Sequence, residues 1–535
     1  MKKLPFGILN IQKRLSNDYL YVDKTQFAYA LIQGGAPYYF LSRPRRFGKS
    51  LFLSTLEAIF KGDRALFKDC AICQTDYDWQ AYPVVVLDFY TLDTRGVVAF
   101  EESIKRCLQD IARSQGITIT TPTAAEGLQS LIKALFYKHD HTPVVILIDE
   151  YDKPIVSNLE NLEEAKKMRE LLSDFFGMLK SLDAYLRFTF TTGVSKFAKV
   201  SLFSGPNNLK DISMHSQYVT IMGYTEQELK HFFAEHIQAI AQERGVTKEE
   251  VFTEVRHWYN GYRFSHDDVY VYNPFSTLNF LDEKNPQSYW YTSGTPSFLI
   301  DQLTQYPETL VPLAGITATK SELMDASSVN QIDLKALMFQ TGYLTIKGYH
   351  ALVKQYTLAF PNREVQEAFI DSLVRHFAPH NMPIADACYE ALVQHQPTFF
   401  FDQIKADIAA FPYSLFSRAQ ERTYHMVLLG IIKGMGLPVA AEVMTNRGRI
   451  DLLLDMLEVT YILELKLNKS PEEALQQIHE QGYYEPYLNQ GKKVGLLGVN
   501  FSSKMRNVAD WGGVLLDQEG QEIGCLCPER EEDVQ

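Results

Sequence analysis

Four short apolar runs, with helical patterns between them, place the tightest limit on how this chain folds. They are PYYFLSRP (37–44), VVVLDF (84–89), VVILID (144–149) and RFTFTT (187–192). Runs of strand length without polar alternation suit strands buried on both faces. Helical patterns near 98–114, 124–138 and 161–181 lie among them. Strand and helix in alternation predict a parallel three-layer α/β sheet that binds its ligand at the carboxyl ends of the strands. The chain has 535 residues, beyond the ~250–300 at which one core stops growing, so at least two domains are expected.

The first run leads into Arg43-Pro44-Arg45-Arg46-Phe47-Gly48-Lys49-Ser50 and then a helical pattern, KSLFLSTLEAIFKG. Strand, loop, Gly-Lys-Ser and helix form the setting of a phosphate-binding loop, where backbone N–H groups and a helix N-terminus hold anionic oxygens. Lys49 would reach the β- and γ-phosphates, and Ser50 would sit on Mg2+. The usual pattern has glycine where this chain has Arg43, so a plain basic turn is the alternative. The third run ends in Asp149-Glu150, where an NTPase places its Mg2+-binding Asp and its water-polarising Glu. Thr191 or Thr192, closing the fourth run, could bring a hydroxyl to the γ-phosphate; β-branched residues filling a strand explain them equally well.

Residues 1 to about 290 resemble the AAA-ATPase-like family of prokaryotes in YVDKT (21–25), RPRRFGKSL (43–51), VVILIDEYDKPI (144–155), TGVSKF (192–197), WYNGYRF (258–264) and VYNPFS (271–276). That family's loop already begins with the Arg-Pro-Arg-Arg run, so the resemblance implies ATP as ligand and carries its roles onto Gly48, Lys49, Ser50, Asp149 and Glu150. Residues 1–70 hold 12 Lys/Arg against 5 Asp/Glu, and Arg43, Arg45 and Arg46 would account for part of that excess beside the polyphosphate. Arg263 is expected either to act on a γ-phosphate, of its own or a neighbouring subunit in a homo-oligomer, or to pack on lid tyrosines.

Overall the net charge is −13, which opposes a protein that coats nucleic acid with its whole surface but allows a local basic groove. The apolar run after Met1-Lys2-Lys3 is too broken for a signal sequence and no stretch is long enough to span a membrane, so a cytoplasmic protein is expected. Six cysteines include the pairs Cys70/Cys73 and Cys525/Cys527; without a His at ligand spacing, reduced thiols are expected rather than zinc.

The C-terminal third carries a second pattern. A helical run (416–434) precedes strand-like 438–444, 449–455 and 460–467, then a helix from Pro471 to about 488 and a strand, KVGLLGVNF (493–501). Glu464 and Lys466, two apart on one strand, share a face, and a hairpin near 456–459 would bring Asp451 to Glu464. Two carboxylates and the Leu465 carbonyl would make an oxygen-rich site for Mg2+ or Mn2+, with Lys466 beside the reacting phosphate. A cross-strand salt bridge is the plainer alternative.

This block resembles the PD-(D/E)XK nuclease superfamily in Asp451, Glu464-x-Lys466 and their GRIDLLLD and YILELKL surroundings, with Ile450 at a variable position where the name has Pro. The resemblance implies a restriction-endonuclease-like domain that cuts nucleic acid, DNA in the first instance, and assisting roles for Gln477 and Tyr484 on the following helix and Glu421 on the preceding one. It further suggests prokaryotic defence or mobile-element handling. The expected organisation is an ATPase core (1–224), a helical lid (225–290), a connector (291–400) and a nuclease-like domain (401–535). A nucleotide-switched regulator that binds nucleic acid without cutting it is the rival reading.

Overall fold

The computed structural model describes residues 1–196, 209–292, 316–324, 333–378, 382–411, 413–416, 419–445, 447–488 and 490–528. They form two compact units, the first drawn from Met1–Phe298 and Thr317–Val365, the second from Leu299–Ile316 and Gln366–Gln535. Residues 291–400, expected as a connector, divide between them.

The first unit is built on five parallel strands: β1 (Tyr38–Ser42), β2 (Val84–Asp88), β3 (Val144–Asp149), β4 (Leu186–Gly193) and β5 (Leu209–Asp211), in the order β2-β3-β4-β1-β5. Every residue of β1 and β3 is buried, which is why these segments are uninterrupted apolar runs. The expected helices appear at Val97–Ser114, Ala124–Lys138 and Leu162–Ser181. In the first of these Phe100, Ile104, Leu108 and Ala112 recur at spacing four and are all buried, the apolar stripe that packs this helix against the other two. Ser42 pairs with Gly193 and Ile148 with Thr191, so the exits of β1, β3 and β4 lie together at one edge.

The helical stretch from 225 is two helices, Glu226–Phe232 and Ala234–Arg244, because buried Phe233 leaves helical geometry between them. With Lys248–Tyr259 and Pro274–Glu283 they enclose a cluster that includes Leu229, Phe233, Ile237, Val255, Tyr259 and Phe280. A small sheet follows, β6 (Ile316–Thr319), β7 (Thr345–His350) and β8 (Gln355–Ala359), in the order β6-β8-β7.

The second unit holds a mixed sheet ordered β14-β13-β12-β11-β10-β9, from β9 (Val439–Met444), β10 (Arg449–Asp455), β11 (Val459–Leu467), β12 (Lys493–Ser502), β13 (Asn507–Leu516) and β14 (Glu522–Leu526). The first three form the expected antiparallel meander, and β12 returns parallel to β11 after the Pro471–Gln481 helix. β13 and β14, which periodicity did not bring out, extend the sheet as antiparallel strands. The preceding helix begins at Glu421, later than expected.

Cys70, Cys73, Cys107 and Cys388 are free, whereas Cys525 and Cys527 are joined as a disulfide, against the expectation of thiols throughout. Among the described residues no helix is long and apolar enough to cross a membrane.

Candidate functional sites

The loop between β1 and the Lys49–Phe60 helix turns through Arg46 at φ 66° and Gly48 at φ 96°. Glycine adopts that conformation freely, while the non-glycine turn costs on the order of 1 kcal/mol, the kind of strain held at ligand loops. Lys49 is buried with its Nζ inside the loop, 3.3 Å from the carbonyls of Arg43 and Pro44 and 3.4 Å from Glu150 Oε1. Ser50 Oγ donates to Asp149 Oδ2 at 2.5 Å across the sheet edge. Burial, reinforced by Glu150, pushes Asp149 up to about 6 against the opposing pull of Lys49 and Ser50. The Lys-Ser pair and the acidic strand end, 99 residues apart between Ser50 and Asp149, are thus one site.

In the second unit β10 and β11 form a hairpin closed by Met456 N–H donating to Val459 O at 3.1 Å. Leu452 faces Leu463, and one step outward Asp451 and Glu464 stand side by side, with Asp451 Oδ2 accepting Leu465 N–H at 3.0 Å. Lys466 Nζ donates to Glu464 Oε1 at 3.0 Å and to Gln477 Oε1 at 2.7 Å. Glu421 reaches the same strand, accepting Leu467 N–H at 3.1 Å. Glu464 is 2% exposed and its Oε2 has no hydrogen-bond partner. Burial, with Asp451 and Glu421 adding to it, pushes Glu464 up to about 7 although Lys466 pulls the other way. A bare, buried carboxylate oxygen beside a second acid is a donor set that fits a hard divalent cation. Among the described residues no group of three His, Cys, Asp or Glu is placed to hold a metal ion.

Residues 5–203 match the family described as predicted AAA-ATPase, and residues 419–511 match the PD-(D/E)XK nuclease superfamily. A protein of Azotobacter chroococcum mcd 1, described as "Uncharacterized protein in vnfD 5'region", is 36% identical over 520 residues, covering 95% of this chain and 98% of that one. The chain belongs to the AAA-ATPase-like family and carries a PD-(D/E)XK nuclease domain. The Aeropyrum pernix ORC2 protein, in ADPNP-ADP complexes, aligns over 63% of this chain and 88% of its own with 10% identity and a TM-score of 0.26, too slight a likeness to bear on function.

In this AAA-ATPase-like chain the aromatic segments after the core hold the 43–50 loop from one side. Phe47 packs edge-on against Tyr262 at 4.8 Å and Phe264 at 5.7 Å, Arg46 lies over Phe275 at 4.8 Å, and the Trp290 indole donates to Arg45 O at 3.0 Å. The Arg43 guanidinium, expected beside a polyphosphate, is turned inward. It is buried under the loop, donating to Ser42, Ser213 and Tyr218 carbonyls and lying 4.0 Å over Phe264. Arg263 is likewise spent locally, on the Ser265 and His266 carbonyls and Asp268. Its guanidinium also lies 5.7 Å over the Tyr270 ring, so its surroundings favour packing on a tyrosine. Thr192 donates its hydroxyl to Leu41 O at 2.9 Å and is fully buried, so it stitches β4 to β1. Tyr484 does not share a helix face with Gln477, because Gly482 at φ 59° ends the helix before it, and its ring packs on His479.

Composition and spacing gave no sign of the cavity beside Gly48. About 150 Å3 in volume, it is walled by Ile8, Leu9, Tyr21, Met222, Phe275 and Leu278. Those residues come from four separate stretches of chain, and each is an ordinary apolar residue in its own stretch.

Proposed function

We propose that this protein binds and hydrolyses ATP in its first unit and cuts DNA in its second, with nucleotide state controlling cleavage. The observation that carries the reading is the unpartnered, buried Glu464 Oε2 beside Asp451, with Lys466 held between Glu464 and Gln477. A salt bridge to Lys466 accounts for Glu464 Oε1 but for neither the bare Oε2 nor the second acid, Asp451, beside it.

At the first site the triphosphate would replace the loop carbonyls around Lys49, whose ammonium then faces the β- and γ-oxygens. The Ser50 hydroxyl and Asp149 would hold Mg2+, Glu150 would orient the attacking water, and Arg45 and Arg46 lie on the loop that the phosphates approach. The base would rest in the apolar cavity beside Gly48, between Leu9, Met222 and Phe275. At the second site Asp451 and Glu464 would hold Mg2+ or Mn2+, which when bound supplies a water of lowered pKa and neutralises charge on the scissile phosphate. Gln477 fixes the rotamer of Lys466, so the ammonium is set beside the acids to meet phosphate charge as it develops. Glu421 holds the end of β11 in place through Leu467 N–H.

The test is incubation of the purified protein with labelled DNA and RNA, single- and double-stranded, with and without Mg2+, Mn2+ and ATP. DNA cleavage that needs the divalent cation and disappears in Lys466→Ala is the expected result. Binding without cleavage under every condition would favour the nucleotide-switched regulator. For the first site, Lys49→Ala should lose ATP binding, and Glu150→Gln should keep binding while phosphate release slows.

A further inference from the structure

Asp152 is a carboxylate of 1% exposure whose contacts all lie on the exit of β4. Its Oδ1 accepts Val194 N–H at 3.2 Å; its Oδ2 accepts Ser195 N–H at 2.7 Å and the Ser195 hydroxyl at 2.6 Å. Its neighbour Tyr151 is tied to the same segment twice, through its N–H to Thr192 O at 3.2 Å and its hydroxyl to Ser195 O at 2.9 Å. Gly193 completes the fit, since a Cβ there would stand 2.3 Å from Asp152 Oδ1 and 2.6 Å from the Tyr151 ring. Between β3 and these anchored residues sits Glu150 at φ 50°, a left-handed conformation uncommon for glutamate. Such a conformation persists only where surrounding contacts over-determine it, and here it aims the carboxylate at Lys49, 3.4 Å away.

We propose that Asp152 is a positioning residue for Glu150: by gathering the three β4-exit donors it anchors the turn after β3 and so holds Glu150 in the left-handed conformation that points its carboxylate at Lys49. The inference rests on Glu150 acting on the attacking water. Asp152 acts through that residue and makes no contact with substrate. A carboxylate is needed because both oxygens must accept; an asparagine turns an N–H onto at least one of the three donors.

The experiment measures steady-state ATP hydrolysis and equilibrium ATP binding on the full chain for the parent, Asp152→Asn, Gly193→Ala, Glu150→Gln and the double variant Asp152→Asn/Glu150→Gln. Gly193→Ala shifts the clamp by bulk without altering charge. Expected are a kcat lower by about tenfold or more in Asp152→Asn and Gly193→Ala with ATP Kd within about threefold of the parent, and a double variant no slower than Glu150→Gln alone. Multiplying losses in the double variant, a Kd that rises in step with the fall in kcat, or parental kcat in both single variants would overturn the positioning role. Should Asp152→Asn not fold, Gly193→Ala and Ser195→Ala decide the matter by the same split between kcat and Kd. Parent protein that hydrolyses no ATP and a Glu150→Gln variant indistinguishable from it would instead remove the ATPase reading, and the clamp with it.

Discussion

Glu364 is fully buried at the start of the Arg363–Phe377 helix, where its Oε1 accepts Trp290 N–H at 2.6 Å and the Ser276 hydroxyl at 2.8 Å. Because the Trp290 indole also holds the Arg45 carbonyl, this acid helps seat the 43–50 loop. Its Oε2 has no hydrogen-bond partner, and burial pushes the carboxyl from 4.5 up to about 8. Between those values the folded state keeps a proton that the unfolded chain has lost. The stabilisation is therefore complete below about 4.5 and fades as pH rises to about 8. Chemical unfolding of the first unit should show that loss, on the order of 4 kcal/mol across the window, and Glu364→Gln should flatten it. Asp451→Asn separates metal binding from folding in the second unit. The amide oxygen can still accept Leu465 N–H, while one of two neighbouring negative charges is gone. Cleavage should fall by at least ~100-fold and the stabilisation by Mg2+ or Mn2+ should vanish, yet metal-free stability at pH 8 should stay level or rise by up to about 1 kcal/mol. Thermal unfolding with and without the cation, beside a cleavage assay, checks both halves.

At the scale of elements, the Pro471–Gln481 helix must lie close on β12 for Gln477 to reach Lys466. Gly498 makes this approach possible, for a Cβ there would stand 2.2 Å from the Pro471 carbonyl oxygen and 3.1 Å from Ala474. Gly498→Ala should lift the helix, destabilise the second unit by about 2 kcal/mol and weaken cleavage more than metal binding. Unfolding of the second unit, followed with the cleavage rate, tests this; a variant with parental cleavage would show that Gln477 does not need the close packing. Strand and helix existence was legible because each follows a local period. β1, β3 and β4 appeared at their runs, and the Val97–Ser114, Ala124–Lys138 and Leu162–Ser181 helices at their stripes. Element ends were less so. Phe233 and Gly482 interrupt patterns that continue in composition, one because its side chain is drawn into a core and the other because it takes a left-handed cap.

For the whole molecule, a single chain carries two candidate sites on two compact units, and control of one by the other requires that nucleotide bind two conformations with different affinity. Cleavage by Glu150→Gln protein should then depend on whether ATP is bound, while Lys466→Ala protein should still hydrolyse ATP. The decisive measurement is the nuclease rate at fixed free Mg2+ with no nucleotide, ADP, ATP and a non-hydrolysable analogue. Four identical rates would mean two independent sites.

Sequence alone determined the chemistry within short reach: Gly48-Lys49-Ser50 opening a helix, Asp149-Glu150 ending a strand, and Glu464 with Lys466 on one strand face, each set by neighbouring residues and a local period. Tertiary structure decided what depends on distant partners. It ordered the sheet β2-β3-β4-β1-β5, with β5 pairing onto β1 far earlier in the chain. It turned Arg43 and Arg263 inward to backbone carbonyls, assembled the cavity beside Gly48 from four scattered stretches, and closed Asp152 on the exit of β4. The reason is physical. A buried polar group must find its partners wherever the fold supplies them, and no period in the chain records where those partners come to lie.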